Sequence, residues 1–290
     1  MPRSGSTLLQ SLLALSCNVS THPEMWFNLG LATLSEPINA KAGFSMSALR
    51  KAVSELDNRL IKNGISINLL QQKFGVEIYE NISNDNSIYV IDKTPRYFFI
   101  IDFLARTYPD AKFIFLIRNP DDIMHSYVNT FNNNSWYAID QYYEDFRWGF
   151  IKISEGYERL QNRSQIICYD DLITQRKKTI DKLCDWLDIE RIKSLNDLKP
   201  ITGAMGDKNI LMYDEKKPKK KNTSLASHLA LKIILMWIPV LYLEKQGLTK
   251  KILLRNSWKN ISSVEIIGLF GIIMSIGRFA IKLKTRYYNY

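Results

Sequence analysis

Six residues at the front of the chain, Pro2-Arg3-Ser4-Gly5-Ser6-Thr7, are of the types that hold an anion. A glycine-containing turn that feeds a helix N-terminus presents backbone N–H groups and the positive end of the helix dipole to negative charge. Ser4, Ser6 and Thr7 add hydroxyl donors, and Arg3 adds a guanidinium able to fork onto phosphate or sulfate. The nucleoside-triphosphate loop needs Gly-x-x-x-x-Gly-Lys-Ser/Thr, and here the lysine and the first glycine are absent. Taken alone, the same residues also suit an ordinary polar helix cap. A second constellation, Arg118-Asn119-Pro120-x-Asp122-x-x-x-Ser126, follows the most apolar short run in the first half of the chain. An arginine at the carboxyl end of a buried parallel strand sits where open α/β sheets bind ligands, and Ser126 on the next helix can face the same pocket. A plainer reading pairs Arg118 with Asp121 or Asp122.

The elements that must carry these groups alternate. Leu8–Leu15 is helix-forming and follows a Ser/Thr pair. Residues 40–80 read as mixed helix, with Leu49, Val53, Leu56 and Leu60 near helical spacing. Ser87–Ile91 is a short strand, and Pro95 opens a helix to about Tyr108. Lys112–Ile117 is nearly unbroken apolar and β-favouring, as a strand buried on both faces must be. A helix through Ser126, a strand at Gln165–Cys168 and a helix at Thr179–Leu187 complete the pattern. Strand–helix alternation predicts an α/β fold with a parallel sheet flanked by helices. Such a fold usually reaches a loop like the one at residues 2–7 from a buried strand, so its first strand is expected to be missing here.

The two anion motifs together resemble the sulfotransferases that use 3′-phosphoadenosine 5′-phosphosulfate, over roughly residues 1–210. In that family a Pro-Lys/Arg-Ser-Gly-Ser/Thr-Thr loop holds the 5′-phosphosulfate and an Arg-x7-Ser element holds the 3′-phosphate. The resemblance therefore implies a P-loop-like fold. It assigns Arg3, Ser4, Gly5, Ser6 and Thr7 to the 5′ end of the donor and Arg118 and Ser126 to its 3′ end. Cys17-Asn18-Val19-Ser20-Thr21-His22-Pro23-Glu24 is similar to the segment where bacterial and tyrosylprotein-type members place a glutamate, which is the base in the tyrosylprotein type. Glu24 is thus the expected base, with His22 the alternative because an imidazole titrates in the right range. Asp92-Lys93-Thr94-Pro95 resembles the Glu-Lys-Ser/Thr-Pro segment of carbohydrate members, placing Lys93 beside the transferred group; the plainer reading pairs Lys93 with Asp92. Residues 203–208 resemble a late nucleotide-covering loop without its proline, which makes Lys208 a candidate donor contact. Tyr169-Asp170-Asp171-Leu172 resembles a Tyr-Glu-Asp-Leu element that is more often structural. The implied reaction moves a sulfuryl group in line to an acceptor hydroxyl of a carbohydrate or glycolipid, with Arg3, Lys93 and Glu24 catalytic and no metal required. Two other readings are a catalytically impaired or N-terminally truncated nucleotide-binding homologue and, less favoured, a small-molecule kinase.

Composition narrows the alternatives. Residues 216–290 carry 15 Lys/Arg against 2 Asp/Glu, which leaves 24 basic against 27 acidic in the rest of the chain. The body is close to neutral, so nucleic acid is not an expected partner. The 3 cysteines and 3 histidines are too few and scattered for a disulfide framework or a polyhistidine metal site. The division expected is a sulfotransferase domain at 1–215 and a basic, helical extension at 216–290. Apolar stretches at 229–243 and 266–281 are interrupted by Lys232, Pro239 and Arg278 and fall short of the ~20 apolar residues of a spanning helix. Their basic surroundings suit peripheral contact with an anionic leaflet. With no targeting segment read at its front, the chain is expected in the cytoplasm, with such contact at the inner membrane face.

Overall fold

The computed structural model describes residues 1–38, 42, 44–131, 143–199 and 201. Lys208 and the basic segment 216–290 lie outside the described residues. Two compact units divide the chain: Met1–Leu116 with the described residues from Glu155 onward, and Ile117–Ser154.

In the first unit the opening turn leads into α1 (Ser6–Leu13), followed by β1 (Val19–Thr21), α2 (Phe27–Ala32), α3 (Met46–Ile61) and α4 (Ile67–Ile82). Then come β2 (Tyr89–Ile91), a 3₁₀ segment (Pro95–Ile100), α5 (Ile101–Thr107) and β3 (Phe113–Ile117), whose last residue belongs to the second unit. Helix α6 (Pro120–Phe131) is in the second unit, and α7 (Tyr143–Arg159) runs from the second into the first. The first unit closes with β4 (Ser164–Cys168), α8 (Tyr169–Thr174) and α9 (Arg176–Leu187). Strands β1 and β2 pair in parallel, with Val19 opposite Tyr89 and Thr21 opposite Ile91, and β3 pairs with β4. The expected α/β fold is therefore present, drawn as two two-stranded sheets.

Helix α1 is buried on every side: Leu8, Leu9, Leu12 and Leu13 join Val19, Leu116, Ile167 and the apolar face of α9 (Ile180, Leu183, Leu187) in one core. Burial of a leucine is worth about 1.5–3 kcal/mol, so this helix is anchored well enough to hold a strained turn at its N-terminus. Loop ends are fastened by cations on open helix carbonyls. Arg163 donates to the carbonyls of Ala105 (2.7 Å) in the last turn of α5 and of Tyr108 (3.1 Å) just after it, and Lys112 donates to that of Trp186 (3.1 Å) at the end of α9.

Two local expectations change. Pro95–Ile100 is 3₁₀ and α-helix begins only at Ile101, so the single helix expected from Pro95 is two segments. The segment 17–24 that carries Glu24 contains β1, a strand not among those expected from the sequence. Among the described residues no helix is long and apolar enough to cross a membrane.

Candidate active site

The opening turn is shaped by its backbone. Arg3 (φ 61°) and Gly5 (φ 96°) are both left-handed, which reverses the chain into α1. Ser4, buried, spends its hydroxyl on the Met1 carbonyl at 2.6 Å and so closes the turn on itself. Gly5 stands at the helix N-cap with no side-chain cap and no acidic residue in the first turn. The first N–H groups of α1 are thus left for an external acceptor. The absence of a Cβ at Gly5 is required from outside as well. A methyl group there would lie 2.3 Å from Cδ2 and 2.5 Å from Cε2 of Tyr169, the first residue of α8.

The parallel pairing of β1 with β2 brings the next groups together. Thr21 stands opposite Ile91, so the chain segments that leave both strands emerge at the same carboxyl edge, where α/β folds bind ligands. Glu24 lies three residues beyond one strand and Lys93 two beyond the other. Gln10 of α1 fixes this edge by donating to Thr21 Oγ1 (2.7 Å) and the His22 carbonyl (2.8 Å), while the Thr21 hydroxyl donates to the Ile91 carbonyl (2.9 Å). The result is a buried ion pair: Lys93 Nζ lies 2.9 Å from Glu24 Oε1, with 10% and 8% of the two side chains exposed. The same ammonium donates to Thr7 Oγ1 at 3.4 Å. Three of the residues expected from sequence, Thr7, Glu24 and Lys93, thereby meet. The plainer pairing of Lys93 with Asp92 is not the one formed. His22 is exposed and its Nδ1 lies 3.2 Å from the Pro23 carbonyl.

Asp92 faces a different set of partners. Its Oδ2 accepts from Tyr79 (2.8 Å), Tyr97 (2.8 Å) and Asn28 Nδ2 (3.1 Å), while Tyr108 donates to Asn28 Oδ1 at 2.9 Å. Asp92 Oδ1 is buried without a hydrogen-bond partner. Burial pushes the Asp92 carboxyl up, opposed by the bonds from Tyr97, Tyr79 and Asn28 and by the Lys93 charge. Burial, then the Asp92 charge, raises the phenols of Tyr79 and Tyr97 far above their ordinary range, and that of Tyr108 to about 12. This cluster ties α2, α4 and the 3₁₀ segment to the residue beside Lys93. Sequence reasoning missed it, because the partners are far apart in the chain and none carries a local signature.

The cluster has a consequence for stability at high pH. In the unfolded chain each phenol loses its proton near pH 10, whereas folded Tyr79 and Tyr97 keep theirs, so the folded state binds more protons there. Stability should therefore fall as pH rises above about 10, at about 1.4 kcal/mol per pH unit for each of these two phenols. Denaturant midpoints of the wild type and a Tyr79→Phe/Tyr97→Phe variant should converge between about pH 9 and 11. A gap that stays constant over that interval would show that the two phenols titrate as they do in the unfolded chain.

Arg118 and Ser126 lie in the second unit. Arg118 directly follows β3 and is 5% exposed, and Ser126 is on α6. Asn119 starts that helix by accepting the Asp121 N–H at 2.9 Å on its side chain and the Ile123 N–H at 3.0 Å on its carbonyl.

Paired strands with interleaved helices, and a glycine turn at the N-terminus of a buried helix, define a P-loop-like α/β protein. A family model described as "Sulfotransferase family" matches residues 1–193. The chain belongs to the sulfotransferase family. The nodulation protein NoeE of Sinorhizobium fredii (strain NBRC 101917 / NGR234) is 32% identical over 130 residues, covering 45% of this chain and 30% of that protein. Sulfotransferase 2A6 of Mus musculus is 30% identical over 89 residues, covering 27% of this chain and 31% of that protein. The chain thus matches about a third of the length of these curated relatives. The fold is that of the sulfotransferase domain from the curacin biosynthetic pathway, with a TM-score of 0.52 at 19% identity, covering 86% of this chain and 95% of that one.

Proposed function

We propose that the protein transfers a sulfuryl group from 3′-phosphoadenosine 5′-phosphosulfate to a hydroxyl of a carbohydrate or glycolipid. The observation that carries this reading is the convergence of Thr7, Lys93 and Glu24 at one edge of the β1–β2 sheet. The donor's phosphosulfate takes the N–H groups of the turn at Gly5, with Arg3, Ser6 and Thr7 about it. Arg118 and Ser126 are assigned to the 3′-phosphate by the family resemblance, and Lys208 to the nucleotide by the same route.

In the reaction the acceptor oxygen forms a bond to sulfur as the bond from sulfur to the bridging phosphate oxygen breaks. Negative charge collects on that bridging oxygen, and preorganised donors aimed at it lower the barrier. Lys93, within reach of the turn through Thr7, supplies a mobile positive charge, and Arg3 a second one. The acceptor proton passes to the Glu24 carboxylate, whose Oε1 is released when Lys93 turns from it to the donor. Positioning and charge stabilisation account for the chemistry, as in phosphoryl transfer. The basic segment 216–290, with 15 Lys/Arg against 2 Asp/Glu, extends the proposal to an acceptor presented at an anionic membrane surface.

Calorimetry with 3′-phosphoadenosine 5′-phosphate, followed by an acceptor screen with labelled sulfate, tests the reading. Binding of the nucleotide together with label in a glycan or glycolipid supports it, and failure to bind the nucleotide overturns it. Arg118→Ala should weaken nucleotide binding by about 2–3 kcal/mol, the usual loss for a charge-assisted bond to phosphate. An unchanged dissociation constant would remove Arg118 from the site.

A further inference from the structure

Trp26 belongs to no motif, yet it is the residue on which the local geometry converges. Its indole Nε1 donates to Glu24 Oε2 at 3.2 Å, on the oxygen opposite the one that Lys93 holds. Its backbone is left-handed (φ 60°, ψ −14°), a conformation that a bulky L-residue adopts only when its surroundings impose it. Two contacts do so. The Trp26 N–H donates to Thr94 Oγ1 at 3.4 Å, next in sequence to Lys93, and the Arg96 guanidinium lies 5.8 Å from the centre of the indole ring. Glu24 and its restraint are therefore fixed by the same Lys93–Arg96 segment that supplies the mobile ammonium.

We infer that Trp26 is a positioning residue for sulfuryl transfer, its indole N–H clamping one oxygen of Glu24 so that the other is presented to the acceptor when Lys93 leaves. Without the clamp a carboxylate released from its ion pair can rotate about its last torsion and present either oxygen in either direction. With it, Oε2 stays bonded and the basic lone pair of Oε1 keeps its heading. The inference rests on the reading of Glu24 as base. The cation paired with the carboxylate is Lys93, from the segment after β2, while Arg96 lies against the indole and His22 stands two residues earlier in the chain.

The test has two readouts. Selective ¹⁵N labelling of the 6 tryptophans, with Trp26→Phe to identify the signal, gives the Trp26 indole resonance. In the wild type the bond to Glu24 Oε2 should shift that resonance, and Glu24→Gln should move it. In steady-state kinetics Trp26→Phe should lower kcat by about 10- to 100-fold and leave nucleotide affinity unchanged, because the carboxylate loses its heading while the donor site keeps its contacts. An indole signal indifferent to Glu24→Gln, or a Trp26→Phe enzyme with wild-type kcat, overturns the inference. A wild type whose indole follows Glu24 but which sulfates no acceptor overturns the functional reading instead.

Discussion

Glu24→Gln is expected to cut turnover by about 100- to 10,000-fold, the range spanned by general acid–base groups, while nucleotide affinity holds. The substitution preserves side-chain volume and leaves a carbonyl oxygen for the Trp26 indole to bond, so the scaffold around it changes little. What it removes is the charge that pairs with Lys93 (2.9 Å) and the site that would take the acceptor proton. Breaking a buried pair on one side is normally destabilising. Here the ammonium keeps Thr7 Oγ1 at 3.4 Å, so a folded protein that binds nucleotide but turns over slowly is the predicted phenotype. Measured kcat and dissociation constant separate the outcomes. Wild-type turnover in Glu24→Gln would strike this carboxylate from the mechanism and turn attention to His22.

The second large effect is structural in origin. Gly5→Ala places a methyl carbon 2.3 Å from the ring of Tyr169, a buried residue of the main core, at a backbone φ of 96°. The positive φ costs about 1–2 kcal/mol for a residue with a Cβ. Forcing a methyl group into a packed interior adds about 1–3 kcal/mol. Relief requires the turn to swing away from the α8 ring, and the N–H groups proposed to hold the donor go with it. Nucleotide binding should be lost and the melting temperature should fall by roughly 5–15 °C. Combining Gly5→Ala with Tyr169→Ala should restore part of the binding, since it removes the collision and leaves only the dihedral strain. A Gly5→Ala protein with unaltered melting and affinity would mean that Tyr169 does not press on the turn.

How far the sequence alone could reach depended on the range of the forces involved. Phe113–Ile117 was readable because five consecutive apolar residues have few other places to go than a buried strand. The turn at Gly5 was readable because its chemistry is contiguous. Val19–Thr21 was not, since three residues carry no periodicity and owe their strand geometry to Tyr89–Ile91, 70 residues away. The partner of Lys93 followed the same rule. Asp92 was the neighbour in sequence, but the register of two strands delivered Glu24. Asn28, Tyr79, Tyr97 and Tyr108 were invisible as a group because a buried phenol is defined by what it bonds to, and those bonds span up to 80 residues. Pro95 correctly marked a helical start, but the tighter 3₁₀ winding of the residues after it left no trace in their composition.

The bond between Lys93 and Glu24 also bears on what the turn at Gly5 would ignore in the proposed reaction. Two opposite charges that already answer each other project little net field, so small inorganic anions such as chloride, free sulfate or orthophosphate find a weak lure. On the proposed reading, only a guest with contacts enough of its own to outbid the carboxylate would win the ammonium, and winning it would arm Glu24 as the base. The proposed enzyme would thus discriminate against the commonest look-alikes of its donor before any acceptor arrives.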